Sequence, residues 1–167
     1  MKPTPSPHSF WISAAFLGCL MLAGSPVRAQ ALPQFDFTRP AAAGEWQATH
    51  DITGIEAGTD GMVIALGGND PYCCGPPRDY PAKVPLWLTI RLRSDTEGSA
   101  QVFFFNDSPR EENSVRFDVL ANKWIEKRVP LPPLGTATRL RFDPPGTTGK
   151  VTLASLRFEP RVLLAEP

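Results

Sequence analysis

Residues 85–93, PLWLTIRLR, alternate without a break. Leu86, Leu88, Ile90 and Leu92 share one side, and Trp87, Thr89, Arg91 and Arg93 share the other. A two-residue period belongs to a strand with one face in a core and one in water. SVRFDVL repeats it, with Val115, Phe117 and Val119 inward against Arg116 and Asp118 outward. ATRLRFDP puts Leu140 and Phe142 inward and Arg139 and Arg141 outward. KVTLASLRFEP alternates through Val151 and Leu153, then changes phase at Leu156 and Phe158. One extra residue flips the facing of all that follows, so the slip predicts a bulge. GMVIALGG and AQVFFFND are apolar on both faces and read as central strands, while PQFDF, GEWQATH and NKWIEKRVPL supply further strands.

The connectors EAGTDG, SDTEGS, NDSPREEN, LPPLG and PPGTTGK carry turn chemistry. No segment shows a convincing helical period. About nine strands at short spacing predict an all-β fold, a two-sheet antiparallel β-sandwich or jelly roll. RVLLAEP, at the C-terminus, reads either as an edge strand or as a frayed tail.

The N-terminus follows a different logic. MKPTPSPH, then the apolar run SFWISAAFLGCLMLAG, then SPVRAQA form a secretory signal pattern, with Val27 and Ala29 at the two peptidase-read positions. Cleavage after Ala29 is expected, giving a leader of 1–29, a sandwich domain of 30–160 and a tail of 161–167. The Gly-Cys of FLGC raises lipid attachment at Cys19. Phe16 and Leu17 fit that signal poorly and LMLAG prolongs the apolar run, so Cys19 reads as an ordinary leader cysteine. No later run reaches the ~20 residues of a bilayer span. A soluble exported protein, periplasmic or secreted, is the expectation.

Removing 29 residues from 167 leaves 138, enough for one domain with a real core. Lys2 and Arg28 leave with the leader, so 15 basic residues face 17 acidic ones, a net charge of −2. That near-neutrality argues against nucleic-acid binding, which needs a basic excess.

The order of motifs resembles the galactose-binding-like β jelly rolls, the group that includes many carbohydrate-binding modules. An early FDF is followed by GEW, GMVIALGGNDP, VPLWLTIRLRS, AQVFFFND and VRFDVLANKWIEKRVPLP, and TRLRFDPPGTTGKVTLASLRFEP closes the chain. The resemblance covers roughly residues 35–159. It implies a sandwich that is often non-catalytic and often sugar-binding, some members of which hold a structural calcium. Asp36, Glu45 and Asp143 are the matching candidates for calcium, which takes six to eight oxygens. The competing reading pairs each carboxylate with a nearby arginine.

GGNDPYCCGPPRDYP, residues 67–81, departs from the family pattern. A Cys73–Cys74 disulfide closes a strained ring, because consecutive Cα atoms lie ~3.8 Å apart and ordinary disulfides span more. Free or intermolecular thiols are the second reading and a metal the third. Zinc takes four ligands, and the mature chain adds only His50; Cu(I) lacks a methionine cluster, Met62 being the sole mature Met. Tyr72 and Tyr80 flank the pair, with Asp70, Arg78 and Asp79 beside them and Trp87 on an outward phase. Sugar C–H faces stack on flat rings, and carboxylates take hydroxyls, so these six form a candidate ligand patch. Tyrosines at loop bases also pack and hydrogen-bond, the plainer alternative. Trp46 and Trp124 are assigned to the core and Phe103–Phe105 to a buried strand. The outward arginines Arg91, Arg93, Arg116, Arg128, Arg139 and Arg141 suit either acidic polysaccharide or a solvated ion-pair ladder with Asp118 and Glu126, which is the favoured reading.

No catalytic motif appears. His50 has no nucleophile elbow to serve, and the acids are scattered through loops. Asn106-Asp-Ser matches a glycosylation sequon whose use depends on the host. The expected function is a non-catalytic module recognising carbohydrate or envelope glycan through the 67–81 end. A protein-interaction module of the cell envelope and a small glycan-active hydrolase stand as alternatives.

Overall fold

The computed structural model describes residues 31–162. The expected leader with Cys19, and residues 163–167 of the tail, lie outside the described residues. Among those described there are eleven strands, two more than the alternation suggested: β1 (Gln34–Asp36), β2 (Gln47–His50), β3 (Ile52–Gly58), β4 (Gly61–Gly67), β5 (Tyr72–Cys74), β6 (Leu86–Ser94), β7 (Gly98–Phe105), β8 (Ser114–Val119), β9 (Trp124–Leu131), β10 (Arg139–Asp143) and β11 (Thr148–Pro160).

They form two antiparallel sheets. The front sheet runs β3-β4-β11-β6-β9, with β1 also paired to β11, and the back sheet runs β2-β5-β10-β7-β8. The inner faces meet in one core. Leu86, Leu88, Ile90 and Leu92 on β6 are wholly buried, in one cluster with Leu140 and Phe142 on β10 and Val102 and Phe104 on β7. Each such side chain contributes about 1.5–3 kcal/mol by leaving water. The strands β4 and β7 lie inside their sheets, as their two-sided apolarity predicts.

The phase slip in β11 is a bulge at Ala154. Leu153 pairs with Leu92 and Ser155 with Arg91, leaving Ala154 without a partner on β6. Val151 and Leu153 before the bulge, and Leu156 and Phe158 after it, thereby all reach the core. Beyond the bulge β1 takes the place of β4 beside β11. The turn between β3 and β4 is pressed against the bulge: a Cβ on Gly61 (φ +144°) would lie 2.4 Å from the Leu153 carbonyl oxygen, so only glycine fits.

Two short helices are additions. α1 (Pro40–Gly44) starts with Pro40 in the first turn and buries Ala43, and a 3-10 turn spans Glu111–Asn113. Five residues are too few for a helical period to show in sequence. Just beyond α1, Trp46 meets Phe35 and Phe37 edge-on at 5.8 and 5.5 Å, a core placement that agrees with its assignment. Among the described residues no helix is long and apolar enough to cross a membrane.

Candidate functional site

The cysteine pair does not sit in a rim loop. Residues 72–74 form β5, hydrogen-bonded between β2 and β10 in the back sheet. Alternation sends Cys73 into the core and Cys74 to the outer face, and both thiols are free. The Cys73–Cys74 ring is therefore a correction: strand geometry turns successive side chains apart. Burial pushes the Cys73 thiol well above its usual range.

The six-residue ligand patch is divided. Tyr80 is a correction outright: it is 3% exposed, packs on Phe158 with ring centres 5.0 Å apart, and burial raises its hydroxyl. Trp87 lies on the other sheet, half-buried beneath Arg128 at 4.7 Å and Arg161 at 5.5 Å. Arg78 binds Glu45 at 2.7 Å and exchanges backbone hydrogen bonds with Thr138. The carboxylate of Asp79 accepts from the Ala137 amide at 2.9 Å, holding a residue whose φ is +54°. Only Asp70 and Tyr72 remain together, gathered by Arg141. Its guanidinium lies 3.5 Å from the Tyr72 ring centre, 4.8 Å from that of Phe103 and 3.6 Å from the Asp70 carboxylate. His50 stacks beside Tyr72 at 5.5 Å. A hollow of 400 Å³ adjoins this group, lined also by Gln101, Glu111 and Arg116.

The structure does not bring the three calcium candidates together: Asp36 and Glu45 line one hollow beside α1, and Asp143 lies on the back sheet. Asp36 pairs with Arg39 at 3.3 Å, Glu45 with Arg78, and Asp143 with Arg141 at 2.5 Å. Among the described residues no cluster of three or more His, Cys, Asp or Glu side chains suits a metal ion. Burial raises the Asp143 carboxyl even though two hydrogen bonds from Arg141 draw it down.

A larger depression lies on the outer face of the front sheet, lined by the calcium candidate Asp36 and by Arg91, one of the outward arginines weighed for acidic polysaccharide. The register aligns Asp36, Ser155, Arg91 and Glu126 in one row across β1, β11, β6 and β9. Gln34, Arg157, Thr89 and Arg128 form the next. Between these rows and the β3–β4 turn opens a groove of 730 Å³, within the range of small-ligand clefts. Ala154 and Ser155, the small residues of the bulge, line it. Thr59 and Asp60 of the turn line it too, with Asp36 and Thr38 from the β1 end, and so do Arg91 and Trp124.

Trp124 is the residue that sequence reasoning misplaced. It is 39% exposed, with the Arg91 guanidinium 5.2 Å from its ring centre. The signal was available: Val129 and Leu131 are buried and Ile125 packs on the core, so the first residue of β9 has the outward phase. Asp36 accepts from the Thr38 hydroxyl at 2.6 Å, which, with the Thr38 amide and Arg39, holds its carboxyl below the usual range against the opposing effect of burial. The outward arginines pair with other partners than expected: Arg116 with Glu111 at 3.0 Å, Arg128 with Glu159 at 2.9 Å and Arg141 with Asp143, while Glu126 takes Arg157 at 2.9 Å and Asp118 has no ion pair among the described residues.

No family model matches the sequence, and no curated protein matches it. Solved structures do. The chain is similar to "BiXyn10A CBM1 APO" (12% identity, TM-score 0.57, covering 75% of this chain and 95% of that one). It is similar to the C-terminal CBM6 of LamC, a marine laminarinase from Zobellia galactanivorans (11%, TM-score 0.55, 75% and 97%). The xylan-binding module CBM15 matches at 13% identity and TM-score 0.54, over 75% and 94%. At such identities the likeness is one of fold, and it agrees with the sequence resemblance: this chain has the β-sandwich fold of carbohydrate-binding modules.

Proposed function

We propose that this chain is an exported, non-catalytic module that binds carbohydrate in the groove beside Trp124. The observation that carries the reading is that exposed indole, set in a groove on a sheet face. An indole left in water forfeits burial energy that the core would give it. A sugar's C–H face stacked on the ring recovers it, while Thr59, Asp60 and Ser155 offer donors and acceptors to hydroxyls. The fold shared with carbohydrate-binding modules supports the reading, and the leader pattern of residues 1–29 supports export to the periplasm or beyond. Affinity electrophoresis through a panel of soluble polysaccharides tests it. Retention on at least one polymer, lost in Trp124→Ala at an unchanged melting temperature, is expected; retention unaffected by the substitution overturns it.

A second reading keeps the contact on the back sheet, at Asp70 and Tyr72, favoured by the flat His50–Tyr72–Arg141 stack beside its 400 Å³ hollow. Retention lost in Tyr72→Ala and kept in Trp124→Ala selects it.

A further inference from the structure

Resting on the groove as the binding site, we infer that its ligand is an acidic glycan, one carrying uronate carboxylates, and that Arg91 is the residue that reads the acid group.

The ladder on the outer face contains a mismatch. Register places Glu126 directly opposite Arg91. A cross-strand pair at that spacing ordinarily forms an ion pair. Glu126 instead reaches across β6 to Arg157 at 2.9 Å. Among the described residues no carboxylate lies within 4.0 Å of the Arg91 guanidinium, and none accepts a hydrogen bond from it. The guanidinium rests instead on the Trp124 ring. The cation is thus held by the aromatic group that a sugar would stack on, with its N–H donors unspent, in the wall of the groove. Guanidinium matches a carboxylate with two parallel hydrogen bonds, and no neutral sugar hydroxyl offers that geometry.

Opposite charges at the other side fix the orientation. Asp36 and Asp60 line the groove near the β1 end and the β3–β4 turn. The low carboxyl value of Asp36 keeps it anionic. A uronate there meets repulsion, so the acid group is steered to the Arg91–Trp124 side and neutral hydroxyls to the aspartates.

The test compares each of two acidic polymers, glucuronoxylan and polygalacturonate, with the same polymer after chemical reduction of its carboxyl groups. The full chain is used. At least one acidic form is expected to bind about tenfold tighter than its reduced partner, the worth of one charge-assisted contact. That ratio falls toward one in Arg91→Gln, falls in part in Arg91→Lys, and declines with added salt. It rises in Asp60→Asn. Arg139→Gln, on the other sheet, leaves it unchanged. Equal binding of acidic and reduced forms, binding confined to neutral glycans, or a full ratio in Arg91→Gln overturns the inference and leaves the carbohydrate reading standing. Absence of binding to every glycan overturns both.

Discussion

The Arg141 guanidinium lies 3.5 Å from the centre of the Tyr72 ring and makes two hydrogen bonds to Asp143, at 2.7 Å to Oδ1 and 2.5 Å to Oδ2. Its side chain is 15% exposed and that of Asp143 18%. Such a pair is costly to break on one side, because the surviving charge stays partly buried. Arg141→Met is therefore expected to lower unfolding stability by about 2 kcal/mol. The double variant with Asp143→Asn should lose less than the sum of the two singles. Urea denaturation of the four proteins checks this; additive losses would show that the pair is not coupled.

Strand alternation also separates the two thiols chemically. Cys74 sits half-exposed on the outer face and should react with a thiol reagent in the native state. Cys73 is buried, with its thiolate disfavoured by burial, and should react only on unfolding. Tandem mass spectrometry after brief labelling distinguishes the two. Rapid labelling at Cys73 would contradict the placement of β5.

Much of the fold was legible because it is written in phase. The β6 alternation and the slip at Ala154 each follow from one periodicity, and both appear in the structure where the pattern put them. The candidate site was less legible. Its wall comes from the β3–β4 turn, β1, β6, β9 and the β11 bulge, and that assembly depends on register between strands far apart in sequence. Trp124 was readable from the phase of β9 alone. Tyr80 was not, because its burial depends on packing against Phe158 and on a backbone hydrogen bond to Gly135.

Gly61 tests the packing that shapes the groove. Its φ is +144°, and the Leu153 carbonyl oxygen lies 2.4 Å from the point where an alanine methyl would stand, so Gly61→Ala must displace the β3–β4 turn or the bulge. A loss of about 2 kcal/mol is expected, combining backbone strain with the clash. Thermal unfolding measures it, and an unchanged midpoint would mean that the turn does not press on Ala154.

Glu111 provides a pH dependence. Hydrogen bonds from Gln101 and then Arg116 hold its carboxyl below the usual 4.5. A carboxyl lowered by folding stabilises the protein above its unfolded value, and that contribution is lost as pH falls through the folded one. Wild type should exceed Glu111→Gln in stability at neutral pH. The gap should close as pH drops below 4.5 through that lowered value. Urea midpoints across this window give the sign; a gap that widens on acidification would contradict it.

The central claim is that the front-sheet groove beside Trp124 takes the ligand. Heteronuclear NMR of the protein titrated with oligosaccharides from a retained polysaccharide tests it most directly. The account predicts saturable shifts of the Trp124 indole N–H and of the Thr59, Asp60 and Ser155 amides, with Tyr72 and Cys74 unmoved. Shifts centred on Tyr72 and Arg141, with the Trp124 indole unmoved, would contradict it.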